Sequence, residues 1–115
     1  MPTVSVFSPT FRQLERWLRE QFPVEEEIKV SLVSKMPGGE GFLDGIYAPR
    51  DDGSAVIKVH RTLSIPVQKE TLMHEWAHAR VQMDTDEHPD EFWLEYGRMY
   101  RSYYHRGGWE RAATL

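Results

Sequence analysis

Met73-His74-Glu75-Trp76-Ala77-His78 is the stretch that decides what fold and chemistry to expect of this chain. On a helix, residues four apart stand one turn above each other on the same face. His74 and His78 therefore offer two imidazole nitrogens to one zinc ion, at the roughly 2.0–2.1 Å of zinc–nitrogen bonds. Glu75 lies beside the pair, so its carboxylate reaches a water in the open position of the metal without becoming a ligand. This is the HExxH arrangement, whose glutamate is the general base of metal-assisted hydrolysis. A shuffled chain of this composition would contain it about 0.02 times. The structural alternative is a pair of histidines bonded inside a buried helix. It desolvates two imidazoles and a carboxylate with no ligand in return, a costly way to fill an inward stripe.

Working outward, the motif sits on a helix from Pro66 to about Met83, with Val67, Thr71, His74, Glu75 and His78 along one side. An acidic break from Asp84 to Asp90 contains His88-Pro89. A final helix then runs from about Asp90 to Tyr104, carries Phe92, Trp93, Tyr96, Met99, Tyr100 and Tyr103, and stops at Gly107-Gly108. Upstream, Ser8-Pro9-Thr10 opens a first helix, with Thr10 and Gln13 spaced as a capping box. Phe11, Leu14, Leu18 and Phe22 give it helical periodicity, and Pro23 ends it. Between these helices lie strands at Ile28–Val33, Phe42–Tyr47 and Ala55–His60, separated by the turn clusters Pro37–Gly41 and Asp51-Asp52-Gly53. Gly45 interrupts the second strand and marks a bulge or a close backbone approach. Short connections favour an antiparallel meander. The expectation is one α+β domain over residues 1–115: an N-terminal helix, a three-stranded, mainly antiparallel sheet, the HExxH helix and a C-terminal helix.

Composition narrows the function classes. The 115 residues include 14 Lys+Arg against 18 Asp+Glu, a formal net charge of -4, and no Cys. Lacking cysteine, the chain has no disulfide scaffold, thiolate zinc site, iron–sulfur cluster or cysteine nucleophile. Net acidity argues against strong nucleic-acid binding and against a grip on anionic membrane. Residues 1–10 lack the basic and apolar regions of a signal peptide, and no apolar run approaches the roughly 18–20 residues of a membrane span. A soluble, cytoplasmic protein is the expectation.

A catalytic zinc needs a third protein ligand. The downstream candidates are Asp84, Asp86, His88, Asp90, Glu91 and Glu95; zinc accepts imidazole and carboxylate alike, so chemistry alone does not choose among them. For Asp86, Glu87 and Asp90 a solvated acidic loop is the preferred reading.

His74-Glu75-Trp76-Ala77-His78-Ala79-Arg80, followed by His88-Pro89-Asp90-Glu91-Phe92-Trp93, resembles the SprT-like and small phage-type zinc metallopeptidases. Those families pair HExxH with a later His that opens a His-x-x-Glu-(Phe/Trp) segment at the next helix. The resemblance implies a minimal zincin-like domain, with His88 as the third ligand of a Zn2+ ion and Glu91 supporting a ligand imidazole. Pro89 stands where SprT-like proteins usually have Gly, and the Cys-rich ribbon many of them carry is missing, so DNA-guided proteolysis is not expected.

Zinc peptidases also place a donor beside the developing oxyanion. Tyr96 ranks first here, ahead of Tyr100, His60 and Tyr47. The expected function is zinc-dependent hydrolysis of a peptide or protein substrate, with Glu75 as general base. The alternative is a catalytically weak or inactive zincin-fold protein that holds metal and acts through a protein partner. Either way, protein purified without a His-tag should carry about one zinc per chain. His74→Ala or His78→Ala should strip it, as read by elemental analysis after zinc supplementation and dialysis.

Overall fold

Thr10 opens the first helix through the reciprocal pair that its sequence offers. The Gln13 amide donates to Thr10 Oγ1 at 3.1 Å, and the Thr10 amide donates to Gln13 Oε1 at 2.9 Å. The structure, a computed structural model, describes residues 8–35, 44–81 and 89–115. In it the cap starts helix α1 (Phe11–Gln21), whose Phe11, Leu14, Trp17 and Leu18 turn inward. Strands β1 (Ile28–Val33), β2 (Gly45–Pro49) and β3 (Ala55–His60) follow, then helices α2 (Ile65–Val81), α3 (Asp90–His105) and α4 (Gly108–Ala112). The fold is α+β.

The sheet corrects the expected meander. Its order is β1-β3-β2, with β1 parallel and β2 antiparallel to β3, so it is mixed rather than mainly antiparallel. The reason lies in the connections. Only β2 and β3 are joined by a tight turn: the Arg50 amide donates to Ser54 O at 2.8 Å, Asp52 Oδ1 accepts from the Ser54 amide at 2.9 Å, and Gly53 takes φ 88°. The chain between β1 and β2 (residues 34–44) is longer than the roughly two to five residues of a hairpin loop. β2 lies on the far side of β3, and the centre belongs to β3, the most deeply buried strand. Ala55, Ile57 and Val59 are accordingly 1%, 0% and 0% exposed.

Two starting points also move. β2 begins at Gly45 instead of Phe42, and α2 begins at Ile65 instead of Pro66; Phe42 and the Pro37–Gly41 turn lie outside the described residues. Gly107, at φ 84°, ends α3 as expected, but Gly108 then starts the short α4, which the sequence pattern did not announce. Gly108 has to be glycine on packing grounds. A Cβ there would run into the Trp17 ring and lie 2.6 Å from Ser102 O.

α2 is the spine of the molecule, with Leu72, Met73, Trp76, Ala77 and Ala79 all buried. Gln68 fastens its start to the end of the sheet, donating from Nε2 to Arg61 O and Leu63 O at 3.1 Å each. Gly45 makes the close approach anticipated for it: a Cβ there would stand 2.6 Å from Thr71 Cγ2 and 3.3 Å from Glu75 Cγ. The absence of that one carbon lets edge strand β2 lie against the turn of α2 that carries Glu75. Among the described residues no helix is long and apolar enough to cross a membrane.

Gly45→Ala should therefore cost about 1–3 kcal/mol of stability, as overpacking does. Thr71→Ser removes the obstructing methyl. Urea denaturation of the double variant should show less loss than the two single losses added together.

Candidate metal centre

The histidines are aimed by what lies behind them. Trp76, two residues from each, points to the opposite side of α2. There it is 0% exposed and donates from Nε1 to Phe22 O at 2.8 Å. With Trp76 fixed against the end of α1, His74 and His78 face α3.

Their ring centroids are 5.0 Å apart, with the planes at 69°. Two imidazoles bound to one tetrahedral ion, with bonds of roughly 2.0–2.1 Å, would have centroids about 5 Å apart. The pair thus fits zinc in donor type and in separation. His78 is buried, whereas His74 is half-buried.

Phe92 completes the packing around both rings. It is 0% exposed, with its centroid 4.5 Å from that of His78 and 5.0 Å from that of His74. The sequence places Phe92 among the aromatics of the last helix and, by resemblance, as the aromatic of the His-x-x-Glu-(Phe/Trp) segment. Its seat against both imidazoles is new. Tyr96, one turn further along α3, stacks on Phe92 at 6.0 Å and lies 6.0 Å from His74. The first-ranked oxyanion donor is thus beside the motif. Burial, then the nearby charge of Glu70, raises the Tyr96 phenol above its ordinary pKa, which keeps it a proton-bearing donor at neutral pH.

Other candidates are placed elsewhere or engaged. Tyr47 Oη donates to the Glu26 carboxylate at 2.8 Å within the core. His60 Nδ1 pairs with the Thr62 hydroxyl at 2.7 Å at the end of β3. Tyr100 lies one step beyond Tyr96, at 6.3 Å. Glu95 is held between Arg80 and Arg98, each at 2.8 Å, which takes up both of its oxygens. Asp90 and Glu91 stand exposed on the first turn of α3. His88, Asp84, Asp86 and Glu87 lie outside the described residues. Among those described, no group of three His, Asp or Glu side chains assembles as a metal-binding set.

Compared with known protein families, curated proteins and solved structures, the chain matches none. The site rests on its own geometry.

Glu75 has the electrostatics of a proton-transfer group. It is 8% exposed, and burial pushes its carboxyl from an ordinary 4.5 up to about 7. A carboxyl in that range can both accept and return a proton near neutrality. The same burial makes stability depend on pH. Between about 4.5 and about 7 the folded state keeps a proton that the unfolded state releases, so stability falls as pH rises through that window. In chelator-treated protein this loss should be on the order of 2–3 kcal/mol by pH 8. Glu75→Gln should lack it, so the difference between the two proteins in urea titrations should widen across that window and level off above it. Parallel curves from pH 4 to pH 8 would contradict the assignment.

Proposed function

We propose that this protein is a small zinc-dependent metallopeptidase with a minimal zincin-like domain. The observation that carries the proposal is the pairing of His74 and His78 at 5.0 Å on the turn of α2 that also holds Glu75, buried and titrating at about 7. His74 and His78 would hold the ion, with His88 as third ligand and Glu91 hydrogen-bonded to a ligand imidazole. Zinc bound there supplies a Lewis acid to the scissile carbonyl and to the attacking water.

The chain's own groups do the rest. Glu75 accepts a proton from the water as it attacks and returns it to the leaving amine. Tyr96 donates a hydrogen bond to the carbonyl oxygen as charge gathers on it. Phe92 holds both imidazoles by packing, which limits their rotation. β2, seated against Glu75 through Gly45, carries no further paired strand among the described residues. Its outer edge suits an extended peptide that adds by backbone hydrogen bonds.

A second reading has one observation in its favour. Glu75 is only 8% exposed and Phe92 crowds both imidazoles, which restricts the approach of water and substrate. On that reading the protein holds zinc and acts through a protein partner, with little or no turnover.

Peptide hydrolysis by the zinc-loaded chain separates the two. Under the peptidase reading, Glu75→Gln keeps its zinc and loses at least about 10²–10⁴ in rate, and Tyr96→Phe loses about 10²–10³. His88→Ala should nearly abolish tight zinc binding, whereas Glu91→Ala should weaken affinity or activity by roughly 10–100-fold. Zinc retention in His88→Ala with loss in Glu91→Ala would assign the third ligand to Glu91. Full zinc loading without hydrolysis of any unfolded protein substrate favours the binding protein.

A further inference from the structure

The outer face of α3 is apolar where solvent meets it. Trp93, Leu94, Tyr100 and Tyr104 are 51%, 69%, 39% and 43% exposed. Isolated apolar residues on a surface need no explanation, but a contiguous strip marks an interaction site. This strip has a period: Asp90, Trp93, Gly97, Tyr100 and Tyr104 alternate at intervals of three and four, the seam spacing of paired helices. Gly97 stands at its midpoint. Glycine weakens a helix interior relative to alanine, and the packing of the described residues does not call for it. Among the described residues, a Cβ at Gly97 would meet only the end of the flexible Arg101 side chain, at 3.4 Å. A glycine at the centre of an exposed aromatic seam lets another backbone come close.

We propose that this face binds the same face of a second copy of the chain, with the two α3 helices antiparallel and crossing at Gly97. Charge selects both the occupant and the direction. The first turn of α3 carries Asp90 and Glu91; of its later basic residues Arg98 is paired with Glu95 at 2.8 Å, and Arg101 and His105 lie further along. Antiparallel pairing sets the acidic turn of each copy beside the basic turns of the other, whereas parallel pairing sets like beside like. Centred on Gly97, the arrangement places Trp93 opposite the second copy's Arg101, a cation–π pair. Leu94 falls opposite Tyr100, and Asp90 opposite Tyr104. With a rise of 1.5 Å per residue, Asp90 lies about 4.5 Å along the axis from the second copy's Arg101, within reach of an ion pair. One helix face buries less than the roughly 800 Å² per partner of a standard interface, which places it in the size class of weak, transient contacts.

Sedimentation equilibrium of the full chain from roughly 1 to 500 µM tests this, because a small, transient interface calls for a wide concentration range. Wild type should pass from monomer to dimer. Gly97→Leu should stay monomeric with an equal or higher melting temperature, since it blocks the crossing but improves the helix. Asp90→Lys and Arg101→Glu should each weaken self-association by at least about tenfold. An equimolar mixture of the two should regain it, because the heterodimer brings Lys beside Glu and Asp beside Arg. A monomeric mass at every concentration overturns the proposal and leaves the face to a different partner. Wild-type dimerisation by Gly97→Leu or by either charge variant, or no recovery on mixing, overturns it equally.

Discussion

The hydrogen bond from Trp76 Nε1 to Phe22 O fixes the rotation of the central helix, and the candidate site depends on that rotation. Each partner needs the other. A helix end leaves carbonyls without intrahelical donors, and Phe22 is the residue that closes α1. A buried indole N–H likewise needs an acceptor. Breaking the pair would strand two buried polar groups, each at about 1–3 kcal/mol. One turn on, Arg80 repeats the connection. It donates to Pro23 O, lies over the Phe22 ring at 5.6 Å and meets Glu95 of α3 at 2.8 Å. Trp76 thus pins α2 on the side away from its histidines, and Arg80 ties the same helix to α3, which the histidines face.

Such pinning explains how α2 tolerates so polar a sequence. Most helices of a small domain bury one apolar stripe, but α2 packs against α1, α3, β2 and β3 and buries Gln68, Thr71, Glu75 and His78 as well. For two of these groups the structure shows how the cost of burial is reduced. The Gln68 amide donates to two backbone carbonyls in the β3–α2 turn. Glu75 shifts its titration until the neutral form is accessible at physiological pH. A structural helix would gain stability from leucine at Glu75 and His78. Retaining ionisable groups there, next to a glycine that admits a strand edge, is the pattern of a site held in a strained electrostatic state.

Sequence legibility followed the range of the interactions. The Thr10–Gln13 cap, the Asp51-Asp52-Gly53 turn, and the helices around His74 and Tyr96 depend on residues within about a turn of each other, and each was legible. Gly45 was legible as an exception, since a glycine inside a strand pattern signals close approach, although its neighbours Thr71 and Glu75 were not. The strand order was not readable, because period-two patterning says which face of a strand is buried and nothing about which strand lies beside it. α4 was hidden for a related reason. Gly107-Gly108 reads as a stop, and only the fit of Gly108 against Trp17, remote in sequence, reveals that the chain turns back into a helix. The motif histidines were plain from spacing, but the contact of Phe92 with both of them was not, because it depends on how α3 packs against α2.

α1 emerges as the element that sets the angle between the two helices of the site. On one side it receives Trp76 and Arg80 from α2. On the other it holds α3 and the residues after it: Gln13 Nε2 donates to Ala113 O at 3.2 Å, Arg16 donates to Leu115 O at 2.6 Å, and Trp17 packs edge-on to Tyr103 at 5.3 Å. The exposed Arg111–Glu20 pair at 3.2 Å adds little on its own. The buried contacts matter more, because Tyr103 and Gly108 fix the C-terminal half of α3 while Glu95 fixes its first half through Arg80. A helix held at both ends cannot roll. Its inner residues, Phe92 and Tyr96, therefore keep their places against His74 and His78, and its outer residues, Trp93, Gly97 and Tyr100, keep facing away from the core. α1 carries none of the candidate chemistry, yet through these contacts it decides where both faces of α3 are presented.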